Sequence, residues 1–320
     1  MNTALTLAGL SLPNLISRMP GGIAQGIIWG IMALGIFITF RLLDFADLSV
    51  DGSFATGGAV TVMLILAGYS PWIAVFVAML AGILAGMCTG LLHTKLGIPA
   101  ILAGILTQFA LYSINLRIMG MAANKSANPN VYKLIISMRN IPIAIIIGAI
   151  FAVAIIAVLY WYFGTEQGSA LRATGSNPNM SRAQGINVNS MKVLGLAISN
   201  GIVALSGGLM AQFQGFADIN MGRGAIVIGL AAVIIGEVLC DAIFRKGSAF
   251  HTRLFFILLG GVVYYLVMVV ILWLKLDPND LKLFTAILVA IFLAVPYLRS
   301  QAKSSFSQAG KQSRKESTNA

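Results

Sequence analysis

Apolar runs long enough to cross a bilayer alternate with short polar breaks along most of the chain. A helix needs about 20 apolar residues for a crossing, since each residue adds about 1.5 Å against a hydrocarbon layer about 30 Å thick. On that criterion the pattern predicts about nine spans. They run from Gly22 to Phe40, Ser53 to Gly68, Trp72 to Leu92, Ile98 to Met119, Ile141 to Phe163, Val193 to Gln212, Gly224 to Leu239, Leu254 to Leu274 and Leu283 to Leu298. The expected fold is all-α and polytopic: a membrane domain over residues 1–298, followed by a basic, disordered tail over 299–320.

Polar residues interrupt the runs at matching places. Leu43-Asp44-Phe45-Ala46-Asp47-Leu48-Ser49-Val50-Asp51-Gly52 echoes Gln214-Gly215-Phe216-Ala217-Asp218-Ile219-Asn220-Met221-Gly222, and each copy follows one long apolar run and precedes a shorter one. The first copy follows the first span and the second follows the sixth, so an odd number of crossings separates them and the repeat is inverted. Interrupted segments in inverted repeats surround the substrate path of alternating-access transporters. The competing reading is chance recurrence in an apolar sequence of low complexity. A second echo, His93-Thr94-Lys95-Leu96 against His251-Thr252-Arg253-Leu254, has a different offset and is read as coincidence.

The first copy concentrates charge, with Asp44, Asp47 and Asp51 just after a span. Ser53 to Gly68 is short for a full crossing, so the chain between Leu42 and Gly58 is expected to re-enter or break, with Gly52, Gly57 and Gly58 permitting close packing or an unwound turn. Two readings of the carboxylates stand: helix caps at the interface beside Arg41, or groups facing a polar route through the membrane. The pathway candidates are Asp47, Ser49, Asp51, Ser53, Asp218 and Asn220. Glu237 falls at the end of its span and is read as interfacial.

Composition supports this picture. Hydrophobic residues make up 58% of the 320 and charged ones only 10%, too few for a water-soluble surface. Loop charge sets the orientation. With the amino terminus outside, Arg41, Lys95, Arg172, Arg182, Lys192, Arg245, Lys246, Arg253, Arg299, Lys303, Lys311, Arg314 and Lys315 lie inside, thirteen of the 21 Lys and Arg. The positive-inside rule then favours an external amino terminus and a cytoplasmic carboxyl terminus, although Arg117, Lys125, Lys133 and Arg139 around one outer loop oppose it. The net charge of +11 needs no nucleic-acid partner, because basic residues at the cytoplasmic membrane edge and in the tail account for much of it. Cys88 and Cys240 have no metal or disulfide spacing and read as small buried hydrophobes. Residues Met1 to Pro20 lack a basic start and a clear cleavage site, so no removed signal peptide is expected.

The longest polar stretch between spans is Thr165 to Lys192. Within it, Asn177 is a helix cap, Pro178 suits the first helical position and Gly185 suits the stop. The pattern predicts a two-turn helix on the cytoplasmic face, either a docking element or a simple connector.

Here the residues resemble a known family. Ala170-Leu171-Arg172-Ala173-Thr174-Gly175-Ser176-Asn177-Pro178-Asn179-Met180-Ser181-Arg182-Ala183-Gln184-Gly185-Ile186-Asn187, followed by Leu205-Ser206-Gly207-Gly208-Leu209-Met210-Ala211-Gln212, resembles the permease subunits of branched-chain amino acid type ATP-binding cassette (ABC) importers. Leu48 to Phe54, Gly215 to Asp218 and Ile234 to Glu237 resemble a bacterial subgroup associated with amino acids or similar small solutes. The resemblance implies a multi-pass permease of the bacterial inner (plasma) membrane, surrounded by lipid. Its partners would be a second permease copy, identical or closely related, a pair of cytoplasmic ATPases and an extracytoplasmic solute-binding protein. It also implies that the segment 164–192 couples to the ATPase through Arg172, Asn177, Pro178, Asn179, Arg182 and Gly185.

No Gly-x-x-x-x-Gly-Lys-Ser/Thr phosphate loop occurs, and with two histidines and two cysteines no zinc or nucleophile constellation forms, so no enzyme activity, cofactor or metal is expected of the chain itself. ATP would be bound by the partner. A secondary transporter driven by an ion gradient would share the inverted repeat and the carboxylates but has no need of the capped helix. A passive channel would need a polar ring or filter, and none is evident.

Overall fold

The structure is a computed structural model and describes residues 12–129, 131–244 and 249–273, with positions 283, 286, 287, 290 and 294 beyond them. Among these residues eight helices form the bundle. They are α1 (Leu12–Phe37), α2 (Val50–Leu66), α3 (Pro71–Leu96), α4 (Ala100–Ile118), α5 (Ile141–Gly164), α8 (Val188–Gln214), α9 (Ala225–Phe244) and α10 (Phe250–Trp273). Between α5 and α8 stand two shorter helices, α6 (Glu166–Ser176) and α7 (Pro178–Ala183). Seven helices are long and apolar enough to cross a membrane, and α2 is the short exception at 17 residues. The first eight expected spans each coincide with one helix; the ninth, Leu283 to Leu298, and the tail lie outside the described residues.

The two helices that precede the repeat copies are the central posts. Within their most apolar stretches α1 is 83% buried and α8 is 78% buried, against 17% for α5, which lies at the periphery of the bundle. Lipid supplies no hydrophobic drive between helices, so close backbone approach and dispersion must hold them together. Small residues provide that approach: Gly57 of α2 lies against the backbone of Ala204, Gly86 of α3 against Leu196, and Gly26 of α1 against Val262 of α10.

Buried side-chain oxygens reinforce the same seams. Ser199 donates to the Gly35 carbonyl and Ser206 to that of Ile28, each at 2.7 Å, tying α8 to α1. In hydrocarbon these hydroxyls have no water to turn to, so a backbone acceptor on the neighbouring helix satisfies them.

Opposite ends of the bundle are marked by different contacts. At one end, α6 packs Gly175 against the backbone of Leu42, and Lys192 meets His93 at 3.1 Å. At the other end, strands β1 (Asn124–Ser126) and β2 (Phe216–Asp218) pair antiparallel, with Lys125 opposite Ala217.

Cys240 is buried as expected, but Cys88 is exposed on α3. Its reading as a buried hydrophobe fails because α3 spends its small residues Gly82, Gly86 and Gly90 on the α8 contact, which turns Cys88 away.

Candidate functional site

The first repeat copy starts at the α6 end of the bundle and runs back inward. Helix α1 widens into a π-turn over Ile38–Leu42, where Leu43 donates its N–H to Ile38 at 3.0 Å, and the chain then reverses through Asp44 at φ +51°. It climbs to Asp47, which is fully buried beside Asn200, about halfway along α8. Ser49 donates both its N–H (2.9 Å) and its hydroxyl (2.6 Å) to one Asp47 oxygen, while Asn200 donates to the other at 2.7 Å. Thus α2 begins inside the protein rather than at the membrane surface, and the expected break between Leu42 and Gly58 is this turn.

The second copy repeats the device from the opposite end. Asp218 accepts the N–H of Asn220 at 2.7 Å, the counterpart of the Asp47–Ser49 bond, and the chain dips inward to Gly222 before α9 starts. Gly222 packs on the backbone of Asp51. The Asp51 carboxylate accepts the N–H of Gly224 and that of Ile226, both at 3.0 Å, so a residue of the first copy caps the helix that follows the second.

The three carboxylates of the first copy therefore have three fates. Asp44 is exposed, Asp47 is buried, and Asp51 is partly buried at the α9 start. None pairs with Arg41, which instead donates to Glu237, so the reading of all three as interfacial caps beside Arg41 is corrected. The reversal lifts Asp47 and Asp51 away from that ion pair. Ser53 is buried and its hydroxyl has no hydrogen-bond partner among the described residues.

Next to Asp51 a cavity of about 470 Å³ opens between α2, α4 and the loop before α9. Gln108, Tyr112 and Asn115 of α4 line it, with Arg223 opposite. Sequence reading missed these residues and Asn200. Their signal was present, since Gln108, Asn115 and Asn200 are amides inside apolar runs.

At the α6 end, α7 forms where the capping pattern predicts. Asn177 accepts the N–H of Met180 at 3.0 Å, Pro178 takes the first turn, and Gly185 ends the helix at φ +81° with nothing within 4 Å of a Cβ built there. Asn179, Met180 and Arg182 point into solvent. Arg172 behaves differently, donating to the Phe163 carbonyl at 2.9 Å and lying 5.8 Å from the centre of the Phe250 ring. It fastens α6 to the end of α5.

Helix α6 itself was not expected from the sequence. It is polar over most of its length and buries only Gly168, Leu171 and Thr174, too weak a stripe to stand out beside membrane spans. Its start signal was legible, because Thr165 caps it by accepting the N–H of Gly168 at 3.3 Å.

The family described as branched-chain amino acid transport system / permease component matches residues 19–298. The tyrosine transport system permease protein of Clostridioides difficile is 41% identical over 280 residues, covering 87% of this chain and 91% of that one. An uncharacterized protein of Rickettsia prowazekii is 33% identical over 84% of this chain and 94% of its own length. An autoinducer 2 import system permease protein of Yersinia pseudotuberculosis is 30% identical over 60% of this chain and 54% of its own.

Proposed function

Because this chain belongs to the branched-chain amino acid transport system / permease component family, we propose that it is the membrane subunit of an ABC importer for an amino acid or a closely related solute. Two such subunits sit in the inner membrane over a pair of cytoplasmic ATPases and receive solute from an extracytoplasmic binding protein. The α6 end faces the cytoplasm, the β1–β2 end faces outward, and the amino terminus is external.

The observation that carries this reading is α7. It is a capped helix standing clear of the bundle between the end of α5 and the start of α8. A connector of this span needs no helix of its own, whereas a docking element does. In the proposed cycle ATP closes the ATPase pair and displaces α7. The force passes through α6, whose Gly175 abuts Leu42 and whose Leu171 abuts Gly195, to the reversal that holds Asp47. Movement of that turn against α8 opens the path alternately to each side.

Solute uptake by proteoliposomes holding permease, ATPase and binding protein tests this directly. Uptake should stop when the ATPase loses its phosphate-loop lysine. Uptake that continues on an ion gradient alone places the chain among secondary transporters instead.

A further inference from the structure

We propose that the cavity beside Asp51 is a solute subsite for an α-amino acid zwitterion with an aromatic side chain, held between Arg223 and the α2–α4 face. The proposal rests on the importer reading above and adds the place and chemistry of recognition.

Asn115 is the observation that points to a ligand. It is 1% exposed, yet neither its amide nitrogen nor its amide oxygen has a hydrogen-bond partner among the described residues, and it lines the cavity. A buried amide left unmatched costs about 1–3 kcal/mol, so a side chain of this kind in the cavity wall favours a polar guest that can reach it. The two charges flanking the cavity have opposite signs. The guanidinium of Arg223 makes no ion pair or hydrogen bond among the described residues and is free to take a carboxylate in a two-pronged contact. The Asp51 carboxylate spends one bond per oxygen on Gly224 and Ile226, leaving lone pairs for an ammonium group.

A site with one cation and one anion is electrically matched to a zwitterion and mismatched to a solute carrying a single charge. Gln108 and Asn115 supply neutral donors and acceptors between the two poles. At the mouth, Phe109 and Tyr112 present aromatic rings that remain 69% and 44% exposed, a surface for stacking a ring of the solute. The cavity of about 470 Å³ falls within the usual range for small-molecule sites.

Two measurements test this on the assembled permease–ATPase complex. The first is the melting temperature of the detergent-solubilised complex, without binding protein, in millimolar tyrosine, tyramine or 3-(4-hydroxyphenyl)propionate. Tyrosine should raise it and the two single-charge analogues should not. The second is tyrosine uptake in proteoliposomes with unchanged ATPase and binding protein, where Arg223→Gln and Asn115→Leu should each lower uptake by about tenfold or more.

Leucine at position 115 removes an unmatched buried amide, so a merely structural asparagine would be neutral or improved by the change, which separates packing from recognition. Uptake at the parental rate in both variants, or an equal thermal response to tyramine or to the propionate, overturns the site. Uptake that depends on Arg223 and Asn115 but proceeds without ATP hydrolysis keeps the site and overturns the importer reading.

Discussion

Asp51 and Gly224, 173 residues apart in the chain, are joined at 3.0 Å where the starts of α2 and α9 meet inside the bundle. Each helix begins where a repeat copy turns back into the protein, so its first N–H groups cannot be hydrated and must find acceptors. Asp47 accepts the N–H of Ser49, the residue before α2, and Asp51 supplies the acceptor for the first turn of α9. The centre of the molecule is thus a junction of two helix starts, with a buried carboxylate just before α2 and a second one capping α9.

Removing that junction should be measurable as lost stability. Asp51→Ala leaves the N–H groups of Gly224 and Ile226 without acceptors and should destabilise the detergent-solubilised protein by about 1–3 kcal/mol. Asp51→Asn keeps one acceptor oxygen and should fall between alanine and the parent. Thermal unfolding followed by gel filtration reads the order, and equal melting of all three would show that the carboxylate is not a cap.

Glycine positions should separate sharply by what surrounds them. A Cβ at Gly57 would strike the carbonyl of Ala204 across the α2–α8 seam, so Gly57→Ala should cost about 1–3 kcal/mol from forced displacement of backbone. Gly164, at the end of α5, has nothing within 4 Å of such an atom, and Gly164→Ala should lie within about 1 kcal/mol of the parent. Comparable losses at both sites would mean that the seam is looser than the contacts imply.

Orientation is open to chemical labelling. In a background lacking Cys88 and Cys240, Asn128→Cys beside β1 should react with an impermeant thiol reagent in intact cells, and Asn189→Cys at the start of α8 should not. Both positions are exposed, so accessibility alone does not bias the outcome. The reverse pattern would invert the assignment of the two ends.

The docking role of α7 predicts a defect confined to coupling. Arg182→Glu reverses an exposed charge, and Gly185→Val forces a β-branched residue into φ +81°. Both variants should insert normally, yet release the ATPase during purification and lose transport-coupled hydrolysis. A lost charge-assisted contact is worth about 1.5–3 kcal/mol, at least a tenfold weaker association. Normal copurification and uptake in both variants would reduce α7 to a connector.

Helices α1 to α5 and α8 to α10 were legible because a membrane span is declared by a long local average, and so was α7, whose cap, proline and terminal glycine lie within nine residues of one another. The recurrence of Phe-Ala-Asp was equally visible, and its inverted sense followed from counting spans. The polar role of Gln108, Asn115 and Asn200 was not, although an amide inside an apolar run was the available sign. Helix α6 was hidden by its short, mostly polar sequence.

The sequence by itself determined that the chain lies in a membrane, where its described helices other than α6 run, and which segments repeat, since each depends on residues close together along the chain. Only the tertiary structure decided that Asp47 finds Asn200, that Arg41 finds Glu237 rather than a neighbouring aspartate, and that Asp51 closes the start of α9. Those pairings join residues more than 150 positions apart. The Asp47 and Asp51 pairings arise because the low-dielectric interior leaves each buried polar group to be matched by whatever the packing brings beside it, whereas Arg41 and Glu237 meet where the bundle is exposed.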